Sequence, residues 1–544
     1  MISKEKKSKL RSDLFRHLDG IVTCPSAFVL YQKGVTEYLL KEKHITLNKL
    51  SCFFGANDGY LNVALRTLCS QGWLDQKVNN KESIVTYSCN KTSATAFHYF
   101  YLYKEAFELL QYSKHSSILN LEKQTLQKLE NLYDKYFSKL NSSLLKNLQD
   151  KNIITQILKH IEGVIVGPII VLLGMNNMFH NYFMQTKFKA EEFHNDPDNF
   201  KRLLNILTKL GWFTKNKETY EFTDKGLFFA RRASAYGVTV SYILTLKKLD
   251  QLIFSNAQHK LKSNNVSIQE IHVDRAMNVW GSGGAHTSYF KVIDAIIIKL
   301  FNKPIEEQPK GIIDIGCGNG AFLTHLFKLI ENHTSRGKEL EEYPLYLIGV
   351  DYNQTALEIT RKNLVQANIW AKVIWGDIGN PNELSENLKA KYGIILSDLL
   401  NVRTFLDHNR IWNPPIKREQ LTLTSCSGAY AYRGKKLNNN LVIQSLKEHF
   451  NKWKPYVKKF GLLLIELHTS PPELIAKNLG KTAATAYDAT HGYSDQYIVE
   501  LDEYMNALKS IGLFPDKKLF KKFPNSNLAT ISINLFRTKP DNSM

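Results

Sequence analysis

The stretch GIIDIGCGNGAF, residues 311–322, joins an apolar run to three glycines within five positions. The apolar run predicts a buried strand, and AFLTHLFKLIEN after the glycines has the spacing of a helix. Gly316, Gly318 and Gly320 would then lie at a strand-to-helix turn, where missing side chains let the backbone approach a ligand. The pattern is G-x-G-x-G rather than the G-x-G-x-x-G of dinucleotide sites, which favours a different nucleoside ligand.

Three further apolar runs follow, and each reaches a carboxylate. LYLIGVD ends at Asp351, AKVIWGDI reaches Asp377, and YGIILSDLL carries Asp398 at the end of a predicted fourth strand. Helical segments alternate with these runs, so we predict an α/β fold with a mostly parallel, Rossmann-like sheet from about residue 271. Any one of these carboxylates could cap a helix or form a turn. Together they predict a ligand site along the carboxyl edge of the sheet.

With these strand ends and this glycine loop, residues 271–540 resemble the class I S-adenosylmethionine-dependent methyltransferases. The resemblance implies S-adenosylmethionine as cofactor, with the glycine loop carrying its methionine part, Asp351 on its ribose, and Asp377 with Ile378 beside its adenine. The predicted cofactor-binding residues are Asp314, Gly316, Gly318, Gly320, Asp351, Tyr352, Asp377, Ile378 and Asp398.

The first half is predicted to be mainly helical and to contain an internal duplication. LNVALRTLCSQGWLDQ parallels FKRLLNILTKLGWFTK, and a strand pair follows the helices in both copies. Three helices and a strand pair form a winged-helix module. The predicted domains are a winged-helix-like module over 1–100, a helical scaffold over 101–170, a second winged-helix-like module over 171–255, a polar linker over 256–270 and the methyltransferase domain over 271–540.

The 544 residues carry a formal net charge of +20. This charge suggests an anionic partner such as nucleic acid, an acidic carrier or a phosphorylated cofactor, although lysines on solvated faces would give the same value. The presumed recognition helices carry only Arg66 in the first module and Lys201, Arg202 and Lys209 in the second. Because large apolar residues lie between these charges, nucleic-acid binding is not favoured.

The six cysteines show no paired spacing, which predicts neither a zinc ribbon nor a disulfide framework and fits a reducing cytoplasm. The N-terminus is basic without an apolar signal core. The longest apolar stretch, 164–175, is interrupted by Gly167 and Pro168 and is too short to span a bilayer. We therefore predict a soluble cytoplasmic protein without a membrane segment.

Ionisable groups are dense in two segments that should reach the same edge of the sheet. NVRTFLDHNR places Arg403, His408 and Arg410 in a predicted loop, and the predicted fifth strand, FGLLLIELHTSPP, adds Glu466 and His468. Such groups beside apolar strands indicate an acceptor site, and the alternative is a solvated turn. A third segment, TAATAYDATHGYSDQYIVE, gathers imidazole, carboxylate and amide groups that could bind a divalent metal, supply an acid/base pair or form a satisfied polar turn.

The segment RAMNVWGSGGAHTSYF, before the glycine loop, combines Trp280, a glycine cluster and His286. One interpretation is a lid with glycine hinges that folds over the cofactor, with His286 as a further ligand. The other is a helix-initiating turn with a buried tryptophan.

The stretches VRTFLDHNR and THGYSDQY are similar to motifs of methyltransferases associated with polyketide synthases, especially metal-dependent C-methyltransferases of loading modules, and of free-standing enzymes acting on 2-oxo acids. The resemblance implies C-methylation of a small acyl or 2-oxo-acid substrate through an enolate stabilised by a divalent or iron-type metal ion. The substrate could be free, bound to coenzyme A or held on a carrier protein. The implied roles are metal ligands for His491 and Gln496, general base for His468 or His408, and a carboxylate contact for Arg403 or Arg410.

Two other functions stay open on the sequence. A small-molecule O-methyltransferase can combine a winged-helix domain with this fold and use a histidine base without metal. A nucleic-acid-binding regulator or nucleic-acid methyltransferase would suit the net charge, but the fourth-strand SDLL lacks the N-P-P-Y/F signature of base-amino methylation. A monomer and a homodimer are equally compatible with the sequence.

Overall fold

The structure, a computed structural model, describes residues 2–112, 122–139, 149–182, 186–255, 272–417 and 421–538. It has a helical N-terminal half and a C-terminal half built on one large mixed sheet, as the sequence predicted. The linker predicted over 256–270 and the side chain of His286 lie outside the described part of the chain.

The N-terminal half is mainly helical. Its helices are α1 (Lys4–Gln32), α2 (Val35–Glu42), α3 (Leu47–Phe54), α4 (Asp58–Ser70), α5 (Ser93–His98), α6 (Lys104–Tyr112), α7 (Lys123–Tyr133), α8 (Lys151–Met175), α9 (Met178–Asn181), α10 (Pro197–Lys209), α11 (Asp224–Ala230), α12 (Ser234–Ser241), α13 (Ile243–Leu246) and α14 (Leu249–Phe254). Its strands are β1 (His44–Thr46), β2 (Asp75–Asn79), β3 (Ile84–Ser88), β4 (Phe188–Lys189), β5 (Phe213–Asn216) and β6 (Thr219–Phe222).

Two small three-stranded sheets lie within the ranges predicted as the two winged-helix-like modules. The strand order is β1-β3-β2 in the first sheet and β4-β6-β5 in the second. In both sheets the last two strands form an antiparallel hairpin, and the first strand pairs with the last. The two modules therefore share one topology.

The long helices α1 and α8 cross in the core of this half. A Cβ at Gly20 would lie 2.2 Å from His160 Cα, and a Cβ at Gly163 would lie 2.3 Å from the His17 carbonyl oxygen. Only glycine permits this approach. The apolar stretch 164–175, predicted to be too short to span a bilayer, is the second part of α8, which has 25 residues and runs through Pro168 as one helix. It also crosses residue 170, so the predicted scaffold and second module share a helix.

Among the described residues, α8 is the one helix long and apolar enough to cross a membrane by length and composition. In the protein, 94% of its most apolar window is buried. Its apolar character is that of a helix packed on all sides.

The C-terminal half alternates strands and helices. Its strands are β7 (Gly311–Ile315), β8 (Tyr346–Asp351), β9 (Lys372–Trp375), β10 (Leu399–Thr404), β11 (Ala431–Tyr432), β12 (Lys435–Lys436), β13 (Leu462–Thr469), β14 (Val499–Glu500), β15 (Phe514–Pro515), β16 (Lys521–Phe523) and β17 (Ile531–Arg537). Its helices are α15 (Arg275–Phe301), α16 (Ala321–His333), α17 (Gln354–Gln366), α18 (Pro381–Tyr392), α19 (Asn439–Trp453), α20 (Pro472–Ala476), α21 (Ala484–Gly492) and α22 (Leu501–Ser510).

The main sheet has the strand order β15-β17-β13-β10-β7-β8-β9. The five strands from β13 to β9 pair in parallel, while β17 is antiparallel to β13. The short strand β14 extends the sheet beside the end of β13. The parallel strands bring the segments after β7, β8, β9, β10 and β13 to one edge, where the predicted ligand site lies.

The fourth strand differs from the prediction. The sequence was expected to form a strand that ends at Asp398, but β10 begins at Leu399, directly after this residue. Asp398 therefore lies at the amino edge of the sheet, where its carboxylate pairs with Lys310 (2.8 Å) and Lys459 (3.2 Å). Its predicted role in cofactor binding is wrong.

The segment predicted as a lid is part of the unbroken helix α15. A Cβ at Gly281 would lie 2.6 Å from Gly237 Cα in α12, and a Cβ at Gly283 would lie 2.2 Å from the Asn319 side chain in the glycine loop. These glycines therefore permit close helix packing, and the interpretation as hinges of a lid is wrong.

Candidate active site

A cavity of about 2150 Å³ lies between the two halves of the chain. Its wall from the C-terminal half is formed by the segments that follow β7, β8, β9 and β10, together with the segment after α21. Its wall from the N-terminal half is formed by α1, α11, α12 and the segment after α12. The cavity thus lies at the carboxyl edge of the sheet, where open α/β folds bind ligands.

The glycine loop forms the turn between β7 and α16. Gly316, Gly318 and Gly320 all have positive φ (78°, 58° and 74°), a backbone conformation that other residues rarely adopt. The Gly318 amide donates to Asp351 Oδ2 at 3.1 Å, so the loop is held against the end of β8. From α17, Thr360 donates to the Gly318 carbonyl at 2.9 Å.

The Asp351 carboxylate lies at the end of β8 and lines the cavity. Burial raises its pKa, while hydrogen bonds from the backbone amides of Asn353 and Gly318 oppose that shift. Asp377 follows β9, and its Oδ1 accepts a hydrogen bond from the Gly379 amide at 2.7 Å. Both carboxylates keep an orientation fixed by backbone hydrogen bonds.

The cavity contains most, but not all, of the predicted cofactor residues. Those that line it are Gly316, Gly318, Asp351, Tyr352, Asp377 and Ile378. Asp314 lies within β7, Gly320 faces Thr360 and Leu364 of α17, and Asp398 is at the opposite edge of the sheet. The Asp314 side chain is buried within β7, where burial followed by the Asp351 charge raises its pKa to about 8. Neither of its carboxylate oxygens has a hydrogen-bond partner among the described residues, and it does not line the cavity.

The predicted residue Tyr352 pairs with Trp375, which sequence reasoning missed, at this end of the cavity. The Tyr352 and Trp375 rings lie 5.5 Å apart, and Trp375 Nε1 donates to the Tyr352 carbonyl at 3.1 Å. Both residues line the cavity. A flat ligand such as a nucleobase can stack on such rings. The sequence could have indicated Trp375, because it lies at the end of the third predicted strand, two residues before Asp377.

His408 lines the cavity and is paired with a buried carboxylate. It lies in the helical turn after β10, and its Nδ1 donates to Glu466 Oε1 at 2.7 Å. Glu466 comes from β13 and also accepts hydrogen bonds from the Asp407 and Leu467 amides. The carboxylate is thereby fixed, and the imidazole tautomer with it.

His491 also lines the cavity, at the end of α21. Its ring centroid lies 4.9 Å from that of His408, with the two planes at 74°. His491 Nδ1 donates to the Tyr487 carbonyl at 2.7 Å, which requires the proton on Nδ1 and leaves the Nε2 lone pair for a ligand. Burial, followed by the neighbouring His408, lowers its pKa to about 3, so this imidazole is neutral at physiological pH.

Gln496 lines the same cavity, and the N-terminal half fixes its side chain. The Tyr242 hydroxyl donates to Gln496 Oε1 at 3.2 Å, and the Tyr242 ring lies 6.0 Å from that of His491. Tyr242 was missed on the sequence, because nothing within its own segment shows that it meets residues about 250 positions later. The described residues contain no cluster of three or more His, Cys, Asp or Glu side chains that could hold a metal.

His468, one of the two predicted bases, is fully buried outside the cavity. Its Nε2 lies 2.8 Å from Ser532 Oγ and its Nδ1 3.2 Å from the Val499 carbonyl, so both ring nitrogens have protein partners. It shares a face of β13 with Glu466, but the Tyr504 ring of α22 packs against it at 5.0 Å between ring centroids. The prediction of His468 as the base is therefore wrong.

The two predicted arginines also differ. Arg403 lies within β10, not in a loop, and its buried guanidinium donates to Asp407 Oδ1 at 2.6 Å and stacks over Trp453. Burial alone would raise the pKa of Asp407, but Arg403 and His449 outweigh it and lower that pKa. Arg403 therefore belongs to a structural ion pair and does not line the cavity, which contradicts its predicted contact to substrate.

Arg410 does line the cavity. Its two terminal nitrogens donate to the Asp407 and Val442 carbonyls, and its guanidinium lies over the Tyr497 ring. Burial lowers its pKa. These contacts hold the guanidinium against the turn that carries His408.

The presumed recognition helix of the first module, α4, is packed against the methyltransferase half. Every residue of α4 from Gly59 to Ser70 is buried. Arg66 pairs with Asp488 at 2.6 Å and also donates to the Ser427 and Ser470 carbonyls. These contacts hold α4 inside the protein, between the two halves.

Three family models match the chain. Residues 270–534 match the model described as "AprA MT2-like domain". The C-terminal half is an AprA MT2-like methyltransferase domain. Before it, residues 10–76 match the AprA N-terminal domain and residues 162–256 match the AprA winged helix domain. The predicted class I S-adenosylmethionine-dependent methyltransferase fold and enzyme class are confirmed.

Several solved methyltransferases are similar to the chain at low identity. An O-methyltransferase family protein from Burkholderia thailandensis has a TM-score of 0.39 and 11% identity, and the match covers 74% of this chain and 100% of that one. The CurJ carbon methyltransferase has a TM-score of 0.31 and 12% identity over 77% and 99% of the two chains. For human N-acetylserotonin methyltransferase the values are 0.37 and 12% over 74% and 99%. No curated protein matches in sequence.

Proposed function

We propose that the AprA MT2-like domain transfers the methyl group of S-adenosylmethionine to a carbon atom of a small acyl or 2-oxo-acid substrate. The observation that supports this proposal is the pair of imidazoles, His408 and His491, in the wall of the cavity that the glycine loop and Asp351 also line. Both rings use Nδ1 in hydrogen bonds to protein acceptors, so both keep Nε2 for chemistry at the substrate.

His408 Nε2 is the proposed general base. It accepts the proton from the carbon next to the substrate carbonyl, while Glu466 holds Nδ1–H and stabilises the imidazolium that forms. The resulting enolate carbon attacks the methyl group in line, a carbon–carbon bond forms, and the carbon–sulfur bond breaks to give S-adenosylhomocysteine. Holding the two reactants in line in one cavity contributes much of the rate.

His491 Nε2 and Gln496 Oε1 would hold a divalent or iron-type metal ion. Their chemistry fits, because His491 is neutral with its Nδ1 proton bonded to a carbonyl, and Tyr242 orients the Gln496 amide oxygen. When bound, the ion would supply positive charge beside the enolate oxygen. Two neutral protein donors leave positions for a chelating substrate.

Arg410 has a supporting role in this proposal. Since its terminal nitrogens bond to backbone carbonyls, it fixes the turn that carries His408 and adds positive charge to the wall near an anionic substrate. A guanidinium keeps its positive charge at the pH of the reaction.

The test measures cofactor binding, metal content and product on the same protein. S-adenosylmethionine binding is measured by calorimetry on wild type, Glu466→Gln and His491→Ala, with His44→Ala as a control at an exposed histidine. We expect similar affinity in all four, loss of bound metal in His491→Ala only, and a fall of about 10²-fold or more in methyl transfer to 2-oxo acids in Glu466→Gln. Absence of cofactor binding in wild type would refute the proposal.

O-methylation is the second candidate, because the His408–Glu466 pair can remove a hydroxyl proton without metal. The methylated product separates the two functions. A methyl group on oxygen, at a rate that chelator treatment does not change, would support this candidate.

A further inference from the structure

A group of large apolar side chains is exposed at the amino edge of the main sheet, at the opposite end of the parallel strands from the cavity. Helices α17 and α18 run back from the carboxyl edge, so their last residues lie near the first residues of β9 and β10. Five large apolar side chains at this edge are at least 40% exposed: Tyr346, Val365, Trp370, Tyr392 and Ile395. Together with Lys372, Lys389 and Lys391, we call them the amino-edge patch.

Trp370 and Tyr346 lead into neighbouring strands of the sheet. Lys372 of β9 has Ile348 of β8 as its Cα partner, and Trp370 and Tyr346 each lie two residues earlier on their own segment. The two aromatic residues therefore lie at the same level of the edge. Lys372 connects them to α18, because its Nζ lies 4.4 Å from the centre of the Tyr392 ring.

Two members of the patch are exposed to an unusual degree for apolar side chains. Trp370 is 88% exposed, and Val365, in the last turn of α17, is 76% exposed. Single apolar side chains scattered over a protein surface are normal, whereas several at one edge indicate a surface that binds another molecule. The amino-edge patch is therefore a candidate interaction surface, separate from the candidate active site.

Lysines accompany the apolar members of the patch on the side of α18. Lys389 and Lys391 are exposed in the last turn of this helix, and Lys372 is exposed at the start of β9. Positive charge beside exposed apolar side chains favours a partner that offers both negative charge and an apolar layer.

Acidic side chains at this edge do not cancel the charge of these lysines. The Asp398 carboxylate is bonded to Lys310 at 2.8 Å and to Lys459 at 3.2 Å, so two other lysines already balance it. Glu341 and Glu342 are exposed, but they precede β8, whereas the lysines of the patch belong to β9 and α18. The surface is therefore basic on the side of α18.

The combination of aromatic, aliphatic and lysine side chains fits the surface of an anionic bilayer. Tryptophan and tyrosine favour the boundary between lipid headgroups and acyl chains, and lysines are attracted to anionic headgroups. A second copy of the chain fits less well. Although β9 is the last strand of the sheet, it has only four residues and carries Lys372, and both features oppose pairing between edge strands.

We propose that the amino-edge patch binds the protein reversibly to a membrane surface that contains anionic lipids. Trp370 and Val365 enter the boundary of the acyl chains, and Lys372, Lys389 and Lys391 contact the headgroups. Binding of this kind requires no membrane-spanning helix. The cavity lies at the carboxyl edge of the sheet, so a membrane bound at the amino edge leaves it uncovered.

The test measures sedimentation of the full chain with lipid vesicles. Vesicles of phosphatidylcholine alone are compared with vesicles of equal parts phosphatidylcholine and phosphatidylglycerol. We expect the anionic vesicles to bind the protein about tenfold more tightly or better, with an affinity that falls as salt is raised. Tryptophan emission should shift to shorter wavelength on binding, because Trp370 leaves water.

Two variants and two matched controls link this binding to the patch. Trp370→Ala and Lys389→Gln/Lys391→Gln change exposed side chains and should fold, and each should weaken binding to anionic vesicles about fivefold or more. Phe53→Ala removes an apolar side chain that is 62% exposed in the N-terminal half. Lys4→Gln/Lys9→Gln removes two exposed lysines from α1. Both controls should bind like wild type, and the emission shift should be lost in Trp370→Ala only.

Three results would overturn the inference: no sedimentation of wild type with anionic vesicles, unchanged binding in both patch variants, or an equal loss of binding in the controls. Binding of polyglutamate without binding of vesicles would assign the patch to an acidic protein instead. A dimer that Trp370→Ala dissociates, again without vesicle binding, would assign it to a second copy. None of these measurements requires S-adenosylmethionine or a methyl acceptor, so failure here is separate from failure of the proposed function.

Discussion

The two predicted winged-helix-like modules share a strand order, but their presumed recognition helices, α4 and α10, have different surroundings. In the first module α4 is buried on all sides, and its polar side chains find partners in the methyltransferase half. In the second module α10 buries one apolar face, and its cations point outward, where Lys201 pairs with Glu218 and Arg202 with Glu130. The same strand order therefore accompanies a buried helix in the first module and a surface helix in the second.

Helix α4 contacts the segment that forms part of the candidate active site. Arg66 and Tyr60 of α4 reach Asp488 and Asp495, which flank His491 in sequence. Asp495 has a positive φ of 58°, a conformation that costs energy for an aspartate unless its surroundings hold it. The first module thus supports the segment that carries His491 and Gln496, whereas α10 has no such contact among the described residues.

The largest expected contrast between the modules is that between Arg66→Ala and Arg202→Ala. Arg66→Ala leaves the Asp488 carboxylate without its buried partner, which should lower the free energy of unfolding by about 3–5 kcal/mol. Arg202 forms a partly exposed ion pair, so Arg202→Ala should cost about 0–1 kcal/mol. Denaturant unfolding of both variants measures these values.

Arg66→Lys sharpens this contrast. A lysine keeps the charge but cannot reach Asp488, Ser427 and Ser470 together, so its stability should lie between those of Arg66→Ala and wild type. Equal stabilities for Arg66→Ala and Arg202→Ala would show that α4 is not held by this guanidinium.

Most of the predicted cofactor residues line the cavity, and the sequence could indicate their position because the signals there are local. Strand β7 ends just before Gly316 and β8 ends at Asp351, and both residues line the cavity. The end of each apolar run therefore predicts where these residues lie. The prediction for Asp398 was wrong because the run IILSDLLNV could form a strand either before or after the aspartate. Only Lys310 and Lys459, distant in sequence, decide that it lies at the amino edge.

The acceptor half could be predicted only in part, since its geometry depends on partners far along the chain. His408 and Glu466 were both noted in their own segments, but their hydrogen bond follows from the pairing of β10 with β13. His468 looked equivalent to Glu466 on the same strand face, but Tyr504 and Ser532, both distant in sequence, enclose its ring. Tyr242 carries no local signal, because its role exists only when the two halves meet.

A second contrast concerns two buried carboxylates, Glu162 on α8 near the second module and Asp19 on α1 near the first. Lys159 at 2.7 Å, together with His17 and Lys225, surrounds Glu162, and these groups outweigh burial and lower its pKa. Asp19 is buried without such a set, and burial raises its pKa to about 8.

The two carboxylates should give opposite pH dependences. The stabilisation from Glu162 is present above its unfolded pKa of about 4.5 and is lost as pH falls, so Glu162→Gln should cost about 3 kcal/mol at pH 7. The contribution of Asp19 is present below about pH 4 and is lost, by up to about 1.4 kcal/mol per pH unit, as pH rises towards 8. Thermal unfolding at pH 3, 4, 5.5, 7 and 8.5 measures both, since the Glu162 contribution changes below pH 4.5 and the Asp19 contribution between about pH 4 and 8. If Asp19→Asn loses stability between pH 5.5 and 8.5 as steeply as wild type, Asp19 does not titrate in this range.

The smallest contrast compares two buried tyrosine hydroxyls, one in each module. Tyr60 donates to Asp495 Oδ1 at 2.9 Å, and Tyr220 donates to Asn205 Oδ1 at 3.3 Å. Because a hydrogen bond to a charged acceptor is the stronger kind, Tyr60→Phe should cost about 1.5 kcal/mol and Tyr220→Phe about 0.5 kcal/mol. Asp495 precedes Gln496, so Tyr60→Phe should also slow methyl transfer without changing the affinity for S-adenosylmethionine. Equal transfer rates in the two variants would mean that the first module supports the fold but does not position the acceptor side of the site.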